Sequence, residues 1–410
     1  MKLRFLGGAR EVGRSAILVD DSLLLDYGMK TAEPTQWPVG SVSPDAVVVS
    51  HGHLDHVGGL PALLSGADRP SIHWTPPTRE FARLLARDTL KLKGGTMECP
   101  FTETDVQRLG EVSVEHGYRE SFEAAGYQVT LYNAGHIPGS AHVLVDDGET
   151  RLLYTGDFHT TAQRLVPAST DRPDADVVLC ESTYSDVSHE PRDRVEQRFA
   201  RALRETTVRG GTVVVPAFAI GRTHEVLLVC AAHDLDCYVD GMGVEVLRML
   251  RGYPAYLRDP GALRRATSNA REVTGRDGQR KRIAADNTVV VTTSGMLTGG
   301  PAMTYVPEIA GHPRNLVAFS GYQVEGTPGR DLLETGSAEL GGHRRPVSAR
   351  VEQFDFSAHA DREGLRAFLD DYRDAQVLVN HGDRCPAFAA ELRADGYDAT
   401  APELGATLTV

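Results

Sequence analysis

Over the first fifty positions apolar residues come in short runs separated by glycine or acidic turns. Lys2–Leu6, Ser15–Val19, Leu23–Leu25 and Ala46–Ser50 read as strands of a β-rich layer. Val47, Val48 and Val49 are β-branched, the signature of a strand buried on both faces. Beyond them Gly58-Gly59, Pro61 and Ala62-Leu63-Leu64 read as a loop opening into a helix with proline in its first turn. Helices are predicted near Thr78–Thr89 and Glu103–Leu109, whereas Arg119–Tyr127 is too mixed to assign. The period then changes. Val195, Phe199 and Leu203, at i, i+4 and i+8, predict an amphipathic helix that stops at Gly210-Gly211. Strands are predicted at Thr212–Val215, Val289–Thr293 and Leu316–Phe319, with a helix over Thr223–Ala232 that starts just after Gly221-Arg222. Toward the end, Arg350–Ser357 predicts a strand that returns to the first domain, Asp361–Leu369 a helix and Val377–Val379 a strand.

A chain of 410 residues with 41% apolar content exceeds one usual core and predicts two domains. No run approaches 18 apolar residues, and Met1–Gly8 lacks the apolar stretch of a signal peptide. The expectation is a cytoplasmic protein with no membrane segment. Cys99, Cys180, Cys230, Cys237 and Cys385 form no CxxC pair and are odd in number, so they read as small buried hydrophobes.

The net charge of −13 speaks against indiscriminate nucleic-acid binding, but its distribution is uneven. Residues 186–348 carry 21 Lys+Arg against 19 Asp+Glu, so the rest of the chain carries −15. Arg258, Arg264, Arg265, Arg271, Arg276, Arg280, Lys281 and Arg282 form a local excess suited to phosphate contacts, or an ordinary solvated face. Arginine supplies 38 of the 43 basic groups, which with the surplus carboxylate suggests adaptation to high salt. Stability that rises in molar KCl is the expected sign.

The chemistry concentrates in Ser50-His51-Gly-His53-Leu-Asp55-His56. Imidazoles and a carboxylate at this density are zinc ligands, and His51 and His53 at i and i+2 in extended chain point the same way. By chance such a pattern arises in about one chain in a thousand of this length. Asp26, at a strand end, either orients a ligand histidine through its ring N–H or closes an Asx turn. His136 precedes a Pro138-Gly139 turn, Asp157 ends a strand in Thr155-Gly156-Asp157, and Glu181 ends Val177–Cys180. Taken singly, each of these is an ordinary turn residue.

Together these residues resemble the metallo-β-lactamase superfamily of binuclear zinc hydrolases: HxHxDH, then a Gly-His, then Thr-Gly-Asp-Phe, each after a strand. Glu181 in Glu-Ser-Thr-Tyr, His359 in Ser357-Ala-His-Ala-Asp and His381 in Val-Asn-His-Gly-Asp resemble the nucleic-acid-processing branch, which carries a β-CASP domain. Pro216-Ala-Phe-Ala-Ile-Gly-Arg222, Ser294-Gly-Met-Leu-Thr-Gly-Gly-Pro301 and Ser320–Arg330 resemble ribonucleases of the cleavage and polyadenylation specificity factor type. Phe5–Arg14 is most similar to the short archaeal form, which is related to RNase J.

The resemblance implies an α/β chain in which a four-layer αββα metallo-β-lactamase sandwich, residues 1–185 and 349–410, is interrupted by an α/β β-CASP insert, residues 186–348. It implies two Zn²⁺, with Mn²⁺ as a chemically admissible substitute. One is assigned to His51, His53 and His136 and the other to Asp55, His56 and His381, with Asp157 bridging. His359 would hold the scissile phosphate or protonate the departing 3′ oxygen, and Glu181 would position it. Ser294, Gly295, Arg222 and Ser357 are the expected substrate contacts. The expected substrate is RNA, cut internally or from its 5′ end. Only some 30 residues follow His381, so RNA grip is expected from the insert or from a processing partner or second copy. Two other readings stand beside this one. A small-ester or thioester hydrolase leaves an insert of about 160 residues unexplained, and a non-catalytic RNA-binding subunit does not need seven intact ligand positions.

Overall fold

The computed structural model describes all 410 residues. The chain divides into two compact units: Met1–Ala162, Pro167–Ser188 and Ala358–Val410 form one, and Gln163–Val166 with His189–Ser357 form the other.

The first unit holds two seven-stranded sheets. In one, Thr407–Thr409, Lys2–Gly7, Ala16–Val19, Leu23–Leu25, Ala46–Val48, Ser71–Trp74 and Ser113–Glu115 lie in that order. In the other the order is Asp398–Thr400, Gln376–Asn380, Val177–Glu181, Arg151–Tyr154, Ala141–Asp146, Tyr127–Asn133 and Ser121–Ala124. Strand side chains alternate in direction, and here both directions are apolar. Leu3, Phe5, Ile17, Val19, Leu23, Leu25 and Val48 meet Val129, Leu131, Val143, Leu152, Tyr154 and Leu179 in a core between the sheets. Leu18, Leu24, Val47 and Val49 turn the other way, into a core with Ala82, Ala86, Phe101 and Val106 from the helical segments that follow. Leu153, Val178, Val377 and Val379 likewise pack on Leu365, Phe368, Phe388 and Leu392. Three stacked cores between four layers give the αββα sandwich, each fully buried Leu, Ile, Val or Phe contributing about 1.5–3 kcal/mol. All five cysteines are free and buried within these cores and those of the second unit.

The second unit is built on a six-stranded sheet in the order Ala270–Glu272, Cys237–Asp240, Val289–Thr292, Val213–Pro216, Leu316–Phe319 and Arg350–Gln353, every neighbouring pair parallel. The expectation that Arg350–Ser357 returns to the first domain is corrected here. Arg350–Gln353 pairs with Leu316–Phe319 as the last strand of this sheet, and the chain re-enters the first unit only at Ala358. The unassigned segment Arg119–Tyr127 contains the edge strand Ser121–Ala124, which turns into Tyr127–Asn133. Its exposed side alternates with partly buried positions too weakly to leave a strong period.

Candidate metal centre

His51 and His53 follow the strand Ala46–Val48 in extended chain, as their i, i+2 spacing predicts, but the next residues do not continue that loop. Leu54–Val57 is one short helical turn that carries Asp55 and His56, and the proline that follows opens a 3₁₀ turn, Leu60–Leu64. The turn is possible because Gly28 lies directly under it: a Cβ at Gly28 would come within 1.7 Å of the Asp55 carbonyl oxygen. His136 and Asp157 come from loops after Tyr127–Asn133 and Arg151–Tyr154, and His381 from the end of Gln376–Asn380. His381 has φ +47 and Asp26 φ +56, a left-handed backbone that β-carbon-bearing residues adopt at a cost. His381 is held there by its N–H on the Gly8 carbonyl (2.7 Å) and by Ser182 N–H on its own carbonyl (3.1 Å).

The seven side chains converge. One ligand atom from each of His51, His53, His136 and Asp157 falls within a 4.8 Å cluster, and the same holds for Asp55, His56, Asp157 and His381, so Asp157 belongs to both. Its Oδ2 lies 3.6 Å from His51 Nε2, 3.5 Å from His56 Nε2 and 4.0 Å from His136 Nε2. Its Oδ1 lies 3.1 Å from His381 Nδ1, whose Nε2 is 3.4 Å from Asp55 Oδ2.

The surroundings fix which ring nitrogen faces inward. His136 Nδ1–H donates to the Ala358 carbonyl (2.9 Å) and His56 Nδ1–H to Asp26 Oδ2 (2.6 Å). Ser50 Oγ donates to Asp26 Oδ2 (2.7 Å), leaving a lone pair for His51 Nδ1–H at 3.1 Å. Each Nε2 therefore turns to the centre, the nitrogen left for a cation. His51 Nε2, His56 Nε2 and Asp157 Oδ1 are buried there with no hydrogen bond. Leaving one such group unsatisfied costs about 1–3 kcal/mol, and three converging on one point fit cations. Imidazole nitrogens with carboxylate oxygens, and no thiolate, are a zinc donor set that also admits manganese. The seven residues fit a pair of zinc ions, which they would hold at this centre.

The electrostatics agree. Burial, with His56 beside it, pulls His51 well below the usual imidazole range, and burial with His359 does the same to His136. Burial also takes His53 down to about 4. Burial opposes charge on His56 too, yet Asp157, Asp26 and Asp55 outweigh it and push His56 up to about 10. Asp55 falls to about 2 against its burial, through His56 and His381. The carboxylates thus draw positive charge into a buried space.

Asp26 takes the first of its two sequence readings. Besides His56 and Ser50 it accepts the Tyr154 hydroxyl (2.7 Å), and Ser15 Oγ lies 3.0 Å from that hydroxyl. Ser50 and Tyr154 were missed by sequence reasoning. Ser50 adjoins His51 and was legible as its neighbour, but Tyr154 reaches Asp26 across 128 residues and has no local signal.

His359 stands beside the cluster, its Nδ1 3.1 and 3.2 Å from the two Glu181 oxygens and 4.0 Å from Asp157 Oδ2. Glu181 is fixed in turn by the Phe158 N–H (2.8 Å). Burial works against a proton on His359, but Glu181 and then Asp157 raise its affinity for one.

The expected substrate contacts lie in the second unit. Ser294 Oγ accepts the Thr298 N–H (2.9 Å), and Gly295 tucks under Phe218, where a Cβ would come 3.0 Å from the Phe218 nitrogen. Ser357 N–H donates to Asp355 Oδ1 (3.1 Å). Arg222 is buried, and its guanidinium donates to the Phe356 carbonyl and to Gln163 Oε1, so its charge is used inside the unit.

Comparison with known proteins matches three family models in sequence order: the metallo-beta-lactamase superfamily over residues 9–195, the Beta-Casp domain over 228–332 and the Zn-dependent metallo-hydrolase RNA specificity domain over 344–402. The chain is 38% identical to RNase aCSPSF2 of Saccharolobus solfataricus, over 93% of this chain and 79% of that protein. It is 31% identical to Probable RNase MJ4 of Methanocaldococcus jannaschii, with both chains covered in full. To transcription termination factor FttA of the same organism it is 33% identical, over 96% of this chain and 69% of that one. A solved structure of a protein of unknown function from Enterococcus faecalis shares the fold, with a TM-score of 0.64 at 14% identity over 100% of this chain and 99% of that chain. No helix is long and apolar enough to cross a membrane.

Proposed function

The chain belongs to the β-CASP ribonucleases of the archaeal cleavage and polyadenylation specificity factor type, metal-dependent hydrolases of RNA, and from that premise we propose how its residues divide the work. The observation that carries the proposal is the convergence of seven side chains on a buried point where three polar atoms have no partner. His51, His53 and His136 hold one zinc ion, Asp55, His56 and His381 hold the other, and Asp157 serves both. Bound there, the pair polarises phosphate oxygens and acidifies a water.

The chain's own residues do the rest. Asp26, Ser50 and the Ala358 carbonyl hold the Nδ1–H groups of His56, His51 and His136, so that these three rings already present Nε2 to the centre. Asp55, with 29% of its side chain exposed, lies with His53 on the more open side of the cluster. His359 keeps a proton through Glu181 and is 19% exposed, and it delivers that proton to the departing 3′ oxygen, a step that typically contributes about 10²–10⁴-fold. The products are a 5′-phosphate and a 3′-hydroxyl, and the setting is the cytoplasm.

The test is cleavage of one RNA labelled at its 5′ end, bearing a triphosphate or a monophosphate, with Asp55→Ala beside the wild type. Single nucleotides released first identify a 5′-end reaction, and internal fragments identify endonucleolysis. Cleavage by Asp55→Ala at the wild-type rate, or turnover of a thioester and not of RNA, refutes the proposal.

A further inference from the structure

Three adjacent parallel strands of the second unit, Val289–Thr292, Val213–Pro216 and Leu316–Phe319, end at the same edge of their sheet. The segments that leave that edge are Thr293–Gly295, Ala217–Phe218 and Ser320–Tyr322. Phe218 is 40% exposed and Tyr322 45%, and these are the only aromatic residues among the exposed large hydrophobic side chains of the chain. Single exposed apolar residues are ordinary. Two exposed aromatic residues on the segments that leave neighbouring strands are not.

Both are mounted firmly. The Phe218 carbonyl accepts the Thr223 N–H (3.0 Å) and hydroxyl (2.8 Å), and Gly295 lies against the ring edge, where a Cβ would sit 3.4 Å from Cδ2. Gln323, buried, donates from Nε2 to the Gly295 and Tyr322 carbonyls, both at 3.1 Å, and Ser320 Oγ donates to the Pro216 carbonyl (3.0 Å). The three loops are thereby tied to one another. Arg330, ion-paired with Glu334 at 2.6 Å, lies 6.0 Å from the Tyr322 ring and places a guanidinium beside it.

Flat, rigid, exposed rings next to a cation suit the faces of unpaired bases and the phosphates between them. We propose that Phe218 and Tyr322 form a stacking platform for unpaired bases of the RNA substrate, an inference that rests on the ribonuclease reading above. In a duplex the base faces are covered by their neighbours, so the platform selects single-stranded RNA.

The experiment measures KM and kcat of the zinc-loaded enzyme on a single-stranded RNA and on the same strand annealed to its complement. Phe218→Ala and Tyr322→Ala are compared with Phe218→Trp and Tyr322→Phe. Each alanine variant is expected to raise KM for the single strand by roughly tenfold, as loss of one base–aromatic stack does. The aromatic replacements restore KM, and the wild type discriminates against the duplex. An unchanged KM in both alanine variants overturns the platform, as does equal cleavage of single strand and duplex. An equal loss in the aromatic replacements also overturns it, because it would mean that only loop packing had been disturbed. If the wild type cleaves no RNA, the ribonuclease reading fails first, and the two failures are therefore distinct.

Discussion

Each unit buries a cluster of charged side chains, and the two clusters are satisfied in opposite ways. In the second unit Glu225, fully buried, accepts hydrogen bonds from Arg164 N (2.9 Å), Leu165 N (2.7 Å) and the Arg192 guanidinium. Glu196 beside it accepts Arg164 Nε (2.8 Å) and Nη2 (2.6 Å) and Arg192 Nε (3.2 Å). Every carboxylate there has arginine or backbone donors, and the short segment Gln163–Val166 is fixed in its unit by them. In the first unit the outward atoms of the cluster are just as well bonded, but of the inward ones His51 Nε2, His56 Nε2 and Asp157 Oδ1 have no hydrogen bond. A self-satisfied cluster stabilises a fold, whereas one satisfied only on its outside is built to hold something else.

The largest effect that follows is on activity. Asp157→Ala removes the residue common to both halves of the centre and is expected to lower kcat by at least about a thousandfold, the scale of losing electrostatic stabilisation at a reacting group. Metal analysis of the purified variant should find fewer than two zinc ions. A variant with full zinc content and wild-type kcat would place the centre elsewhere. Glu225→Ala is the counterpart in the other cluster. It leaves Arg192 and two backbone N–H groups buried without their acceptor and should cost about 3–5 kcal/mol in urea unfolding, with two zinc ions still bound. Loss of zinc in this variant would erase the distinction between the clusters.

Protons give a smaller and graded effect that touches both units. His142 in the first unit and His224 in the second are fully buried, and burial takes each down to about 4. His142 Nδ1–H donates to the Thr155 carbonyl (2.8 Å) and His224 Nε2–H to the Gly243 carbonyl (3.0 Å). Below about pH 6.5 the unfolded chain binds a proton on each ring that the folded chain refuses until about pH 4. Their contribution is therefore complete above pH 6.5 and is lost as pH falls toward 4, amounting to roughly 3 kcal/mol apiece when fully developed. Urea midpoints at pH 7.5 and pH 5 measure the slope, and His224→Gln should flatten it. An equal slope in that variant would assign the acid sensitivity to other groups.

How much of this was legible in the chain depends on the range over which each feature is encoded. Strands such as Leu23–Leu25 and Leu316–Phe319 were predicted to the residue, because runs buried on both faces leave no doubt about period. The seven residues of the buried cluster were legible as types near strand ends. The short helix under Asp55 and His56 was not, because four residues are too few to show a period and the Gly28 backbone that permits it comes from elsewhere. Arg350–Gln353 was legible as a strand, but nothing local says which sheet it joins, since pairing is a property of the neighbour. Arg222 was singled out for its glycine-arginine motif, and only the folded chain puts Gln163 and Phe356 against its guanidinium.

The finest test of the contrast leaves every ligand in place. Asp26 touches no cation position, yet its Oδ2 receives His56 Nδ1, Ser50 Oγ and the Tyr154 hydroxyl within 2.6–2.7 Å, and its backbone is held at φ +56. Asp26→Asn keeps the shape but replaces an acceptor-only carboxylate with an amide that is half donor. If its nitrogen takes the Oδ2 position, the amide N–H groups oppose the three donors, and His56 is released to turn or to move its proton to Nε2. If its oxygen does, the hydrogen bonds survive, but the charge that holds the imidazole in place is gone. Either way the expected loss is about 10–100-fold in zinc affinity, the range seen when an acceptor behind a ligand histidine is removed. Competition with a zinc chelator at fixed pH reads that loss directly. The unfolding midpoint of zinc-saturated protein should move far less than in Glu225→Ala, because saturating metal restores the geometry that Asp26 otherwise imposes. An affinity equal to that of the wild type would mean that packing alone orients His56, and the outward half of the cluster would then be no different from the self-satisfied one around Glu225.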